Sequence, residues 1–237
     1  VKNLPHWCTG PAEILKHGFS LLSEDTDSNR RLAMICIDNA VELTAKTFLS
    51  LPKRITAVEI SRKQRDAYSA TFPDLLDGLE THAAAKVIGL NLGEVEWFHR
   101  LRNQLYHQGD GLTVERAKVE AYAEIAEQLF NSLFEVSFSF SNTRATTKLG
   151  EFFALWIRIE KAIVGRNMLR QGNLDGYARE MLAEPSNSHS ENWMKYRFLR
   201  ELRNKVAHGE VAAEEAISDE VIADAEVIAD ILEAQRK

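Results

Sequence analysis

The string Leu-Arg-Asn-x-x-x-His occurs twice in this chain, as Leu101-Arg102-Asn103-Gln104-Leu105-Tyr106-His107 and as Leu202-Arg203-Asn204-Lys205-Val206-Ala207-His208. The match extends outward in register: Trp97-Phe98-His99 precedes the first copy and Phe198-Leu199-Arg200 the second, each matched pair lying 101 residues apart. A shared offset over several positions marks an internal repeat. The fold must therefore be built from a unit small enough to fit twice into 237 residues. A weaker echo supports this. Ile37-Asp38-Asn39-Ala40-Val41 resembles Ile159-Glu160-Lys161-Ala162-Ile163, with the acid 64 residues before Arg102 and 43 residues before Arg203.

The periodicity is helical almost throughout. Across residues 30–50, Met34, Ile37, Val41, Ala45 and Phe48 recur at three- and four-residue steps. Leu32, Ile35, Cys36 and Leu43 add a second apolar face, leaving Asp38, Glu42 and Lys46 as a polar stripe. The same reasoning predicts helices over 11–23, 73–88, 94–107 and 113–135, then 147–171, 191–208 and 218–235. Ser218 is placed to cap the last helix ahead of two acids. Leu51-Pro52, Gly109-Asp110-Gly111 and Gly209 supply breaks. The Ser/Thr-rich stretch after Val136 interrupts the period; its alternating Val136, Phe138 and Phe140 suit either a short strand or a pin between halves. The expected organisation is all-α: a domain over 1–137, a linker over 138–146 and a second domain over 147–237.

Charge is unevenly spread. The net charge is −6, yet residues 144–205 hold twelve Lys/Arg against seven Asp/Glu, and residues 53–65 hold five bases against Glu59 alone. Residues 210–233 carry nine acids and no Lys or Arg. Those acids form either a solvated helix face or negative charge held away from a basic cleft. Cys8 and Cys36 have no metal-type spacing, and Cys36 reads as a buried thiol. His6, His17, His82 and His189 show neither HxH nor HExxH spacing, so no metal site is expected. No stretch approaches the ~20 apolar residues of a membrane span, and no basic-then-apolar signal opens the chain. The expectation is a cytoplasmic protein without a membrane partner.

On a helix, Asn103 and His107 share a face, as do Asn204 and His208. Arg and His, five apart, sit about 140° around the axis and ~7.5 Å along it, so one helix does not easily aim both at one atom. Two such helices can. The residue types suit metal-free cleavage of RNA. A histidine can take the ribose 2′-hydroxyl proton or give one to the leaving 5′-oxygen. An arginine can hold the phosphate and the charge that grows on it. Asparagine can orient the histidine or the phosphate. His99, four residues before Asn103 on the motif face, and its counterpart Arg200 suit either a contact with the substrate phosphate or a solvated surface position. Asp38 and Glu160 read as helix-surface or supporting residues more than as general bases. Arg and His near a helix C-terminus also have a purely structural use, stabilising the helix dipole.

Arg-Asn-x-x-x-His near a helix end, in an all-α chain of this size, resembles the HEPN (higher eukaryotes and prokaryotes nucleotide-binding) superfamily. The resemblance implies two tandem helical bundles packed as an intramolecular pseudo-dimer. It also implies a metal-independent endoribonuclease without cofactor, with Arg102, His107, Arg203 and His208 in one composite site. It further implies an RNA substrate and an antitoxin or defence-complex partner; the apolar helices leave further dimerisation of the chain open. The alternative is a catalytically silent module of the same fold that binds RNA or protein.

Overall fold

The computed structural model describes residues 4–24, 26–107, 113–140, 145–164, 174–182, 190–208 and 210–235, and of residues 106, 107, 145–147 and 214 the backbone alone. The described residues are helical, with no β-strand among them. The chain divides into two compact units, Val1–Thr143 and Arg144–Lys237.

In the first unit a short 3₁₀ turn, His6–Cys8, leads into α1 (Thr9–Ser23), α2 (Asp27–Ser50), α3 (Lys53–Thr56), α4 (Arg62–Tyr68), α5 (Phe72–His82), α6 (Ala84–Val87), α7 (Leu92–His107) and α8 (Arg116–Phe134). α2 is the central element and packs against α1, α5, α7 and α8. The Thr26 hydroxyl starts it, accepting the Asn29 backbone N–H at 3.1 Å. Leu51 stops it, extended at φ −65° and ψ 145° ahead of Pro52. Met34, Ile37, Val41, Ala45 and Phe48 are buried as their spacing predicts.

The expected second apolar face is not buried: Leu32 is exposed, while Ile35, Cys36 and Leu43 are half-buried. Asp38, placed on the polar stripe by the sequence, instead faces the core. The close approach of α1 to α2 depends on Gly18, where a Cβ would stand 2.8 Å from Ile37 Cγ1. The helix expected over 73–88 is divided at Ala83, whose φ of −127° and ψ of 21° interrupt it. Packing overrides a run of good helix formers there.

Phe138 and Phe140 are neither strand nor free linker. The Asn131 side chain brackets Phe138, accepting its N–H at 3.0 Å and donating to its carbonyl at 2.8 Å. Phe140 is buried, stacked on Phe19 and edge-on to Phe130. The first unit thus continues through Phe140; residues 141–144 lie outside the described residues.

The second unit holds α9 (Ala145–Val164), α10 (Leu174–Leu182), α11 (Glu191–Ala207), α12 (Ala213–Ala216) and α13 (Asp219–Ala234). α9 packs on α10, α12 and α13, and α11 on the same three. Val221, Ala225, Ile228 and Leu232 of α13 are buried at the expected spacing. Ser218 caps that helix by accepting the Val221 N–H at 3.2 Å. The α13 acids are not kept apart from the bases. Asp230 and Glu233 take Arg158 of α9 at 2.9 and 2.8 Å, Asp219 takes Lys148 at 2.7 Å, and Asp224 takes Lys195 of α11 at 2.9 Å. Much of the apparent basic excess is therefore neutralised inside the unit. Gly109–Gly111 and Gly209, expected as breaks, lie outside the described residues.

Candidate functional site

In the first unit three helices deliver side chains to one buried carboxylate. α2 brings Asp38, wholly removed from solvent. α7 brings His99, whose Nδ1 lies 3.3 and 3.1 Å from the two Asp38 oxygens, and Arg102, whose Nε donates to Oδ2 at 2.6 Å. α8 brings Tyr122, whose hydroxyl donates to Oδ1 at 2.7 Å. Burial alone would raise the Asp38 pKa. The hydrogen bond with His99, the charge of Arg102 and the Tyr122 hydroxyl overcome that and hold the carboxyl below its usual range. The Tyr122 phenol is driven well above its ordinary value by burial and the adjacent carboxylate, so it stays a donor.

Asp38 is neither a helix-surface residue nor a general base placed to meet substrate. It is the anchor of Arg102 and His99. The Arg102 terminal nitrogens also reach Glu42 at 3.7 Å and donate to the Asn103 side-chain oxygen at 3.0 Å. The His99 ring lies flat on Phe72, centroids 3.8 Å apart and planes within 3°. A shallow depression of about 240 Å³ lined by Asn39, Glu42, Leu43 and Lys46 opens on α2 beside this cluster. Asp38, Glu42 and His99 offer ligand atoms within 4.8 Å of one another, a spacing a cation would accept. The Arg102 guanidinium already supplies positive charge to both acids. His107 ends α7, and its side chain, like that of Tyr106, lies outside the described residues.

In the second unit the same contact recurs. Arg203 is 4% exposed and its Nη1 donates to the Asn204 side-chain oxygen at 3.5 Å, as Arg102 does to Asn103. Here the guanidinium also lies over Phe153, 5.7 Å from the ring centre. In both units the asparagine carbonyl therefore goes to the neighbouring arginine, where the sequence suggested histidine or phosphate; its NH₂ remains a donor. His208 is half-buried at the end of α11, its backbone N–H closing on the Asn204 carbonyl at 3.0 Å. Glu160 accepts the Trp156 indole N–H at 2.6 Å. Arg200, the counterpart of His99, is paired with Asp175 of α10.

Trp193, Tyr196 and Trp156 form a stacked ladder, with centroids 5.6 and 5.8 Å apart. Trp193 edges an open groove of about 470 Å³ along α11, shared with Met194, Arg197, Phe198 and Asn204. Sequence reasoning missed Tyr122 and this groove. A tyrosine inside an apolar stripe was a usable signal, because a buried hydroxyl needs an acceptor. Cys8 is buried, and Cys36, expected to be, is half-buried; both are free thiols. No helix among the described residues is long and apolar enough to cross a membrane.

Fold and site together define an all-helical chain in two units, each holding a motif arginine against its neighbouring asparagine. The chain matches no family in a comparison with protein families, and no curated protein or solved structure is significantly similar to it.

Proposed function

We propose that the protein is a metal-independent endoribonuclease of HEPN type. In this reading Arg102 and Arg203 hold the scissile phosphate, His107 and His208 carry protons, and the two halves act on one phosphodiester as an intramolecular pseudo-dimer. The single observation that supports it most is the repeated Arg–Asn contact at matching places on α7 and α11. A guanidinium fixed by its neighbours keeps its remaining N–H groups oriented for phosphate without reorganisation, which is the arrangement that stabilises charge during transfer. The class of protein this implies is a toxin or defence effector restrained by an antitoxin or complex partner.

A second reading, a silent interaction module, draws on Met194 and Phe198 of α11, which are 48% and 55% exposed. One digest separates the two. The expected result is cleavage of RNA but not DNA in excess EDTA, leaving 2′,3′-cyclic phosphate ends, with Arg102→Ala and Arg203→Ala each losing ~10²–10³-fold. Wild-type protein that leaves every RNA intact, with or without its partner, establishes the module instead.

A further inference from the structure

We propose that His99 is the general base of the N-terminal half-site, its Nε2 taking the proton of the ribose 2′-hydroxyl. This rests on the ribonuclease reading above and adds to it a catalytic group outside the repeated motif. The carboxylate of Asp38 can only accept, so the nitrogen facing both its oxygens, Nδ1, carries the hydrogen. That fixes the tautomer and leaves the lone pair on Nε2. The Phe72 ring, lying flat on the imidazole, fixes its plane.

Nε2 has no hydrogen-bond partner among the described residues, and the side chain keeps 15% of its surface in solvent. That nitrogen is therefore open to whatever approaches from solvent. The groups facing it are Asp38 and Glu42 of α2, Tyr122 of α8 and Arg102 of its own helix, while α5 presents Phe72.

His99 and Arg102 are three residues apart on α7, so they are neighbours on its surface, with Cβ atoms ~5–6 Å apart. Both are held by the same carboxylate. Arg102 then holds the phosphate while Nε2 removes the 2′-hydroxyl proton and the 2′-oxygen bonds to phosphorus. The bond from phosphorus to the 5′-oxygen breaks with its electron pair. That oxygen takes a proton from a second acid, the part the proposed function gives to the motif histidines, and the products are a 2′,3′-cyclic phosphate and a 5′-hydroxyl. The second unit has Arg200 at this position, committed to Asp175. The two halves are therefore chemically unequal, with base chemistry confined to the first.

The test is His99→Asn in the full chain, because the asparagine NH₂ replaces Nδ1 as the donor to Asp38 while removing Nε2. Cleavage of a single-stranded RNA should fall ~10²–10⁴-fold with affinity for that RNA unchanged. The rise of rate with pH that reports the base should disappear, and added imidazole should restore part of the rate. Arg200→Gln should keep the wild-type pH profile. A His99→Asn protein that cuts within threefold of wild type overturns the inference and leaves the ribonuclease reading standing. So does one whose loss imidazole cannot restore and which unfolds or stops binding RNA, for His99 is then structural. Wild-type protein that cuts no RNA overturns both.

Discussion

At the scale of single residues, the chain places an ionised carboxylate in its core and surrounds it with donors. Asp38 would be costly there alone, since an unpaired buried charge loses several kcal/mol of hydration (about the magnitude for one ion in a protein interior). Arg102, Tyr122 and His99 offset that cost and are fixed in return. Glu124 shows the contrast. It is buried on α8, and burial, then the charges of Glu127 and Glu120, push its pKa up to about 8. The clearest residue-level prediction is Asp38→Asn, which keeps the shape but removes the charge. It leaves Arg102 without its main counter-charge and should destabilise the first unit by ~3–5 kcal/mol at neutral pH. The pH dependence has a definite sign. The folded pKa of Asp38 lies below its unfolded value, so the native state binds fewer protons than the unfolded one. The wild-type advantage is therefore fully present above the ordinary carboxylate pKa of ~3.9 and is lost as pH falls through the lower folded value. Urea midpoints measured from pH 7 down to 3 check this; a difference under ~1 kcal/mol at pH 7 shows that Asp38 does not hold the network together.

At the scale of elements, what the sequence made legible was what local chemistry decides. The motif helices, the Ser218 cap, the stop at Pro52 and the buried stripe of α13 all follow from spacing and caps within one segment. α4 carried a readable signal as well, the Ser61-x-x-Gln64 capping box, which the hydrophobic period alone did not expose. What stayed illegible depends on partners distant in the chain. Asp38 joins Glu42 and Lys46 at four-residue steps and so looks like part of a polar stripe. Only the arrival of α7 and α8, 61 residues and more away, turns its side into core. The Ala83 break has no local marker for the same reason. Of the site, the paired Arg and Asn were legible through the repeat, whereas Tyr122 and the Phe72 support for His99 were not. Packing also decides the fate of Gly18. Alanine is the better helix former by about 1 kcal/mol. A Cβ at that position nevertheless meets Ile37 Cγ1, a methylene of a β-branched side chain that has little room to move in a filled core. Gly18→Ala should therefore lower stability by ~1–3 kcal/mol, the usual range for overpacking less the propensity gain. A urea midpoint equal to or above that of wild type would show that α1 can slide outward at no cost.

At the scale of the whole molecule, the distribution of charge decides which bases are left for an anionic partner. The excess of Lys and Arg over residues 144–205 suggests a strongly basic second unit, but Arg158, Lys148 and Lys195 are already matched by acids of α13, and Arg200 by Asp175. Lys205 is paired with Glu201. Arg197 differs: it stands in the α11 groove beside Trp193 and Phe198. Its charge adds to the hydrogen bond and charge of Lys205 in lowering the pKa of Glu201, but it closes no ion pair of its own among the described residues. If RNA is the substrate, the strand gains most where a phosphate meets an arginine that need not first give up a carboxylate. Bases can then stack on the neighbouring rings. Each phosphate neutralised on a single strand contributes about −0.7 to the slope of log K against log salt. Arg197→Ala should therefore flatten that slope by about 0.7 and weaken binding at low salt. Arg158→Ala removes a cation whose charge is already spent on Asp230 and Glu233, and should leave the slope unchanged. Fluorescence anisotropy of a labelled single-stranded RNA from 50 to 300 mM salt (roughly a sixfold range, in which such slopes are resolved) measures both. Equal slopes for the two variants would mean that ion pairing within the unit does not select the bases that meet RNA. Binding that ignores salt altogether would remove phosphate contact from the account and leave the exposed Met194 and Phe198 as a surface for protein.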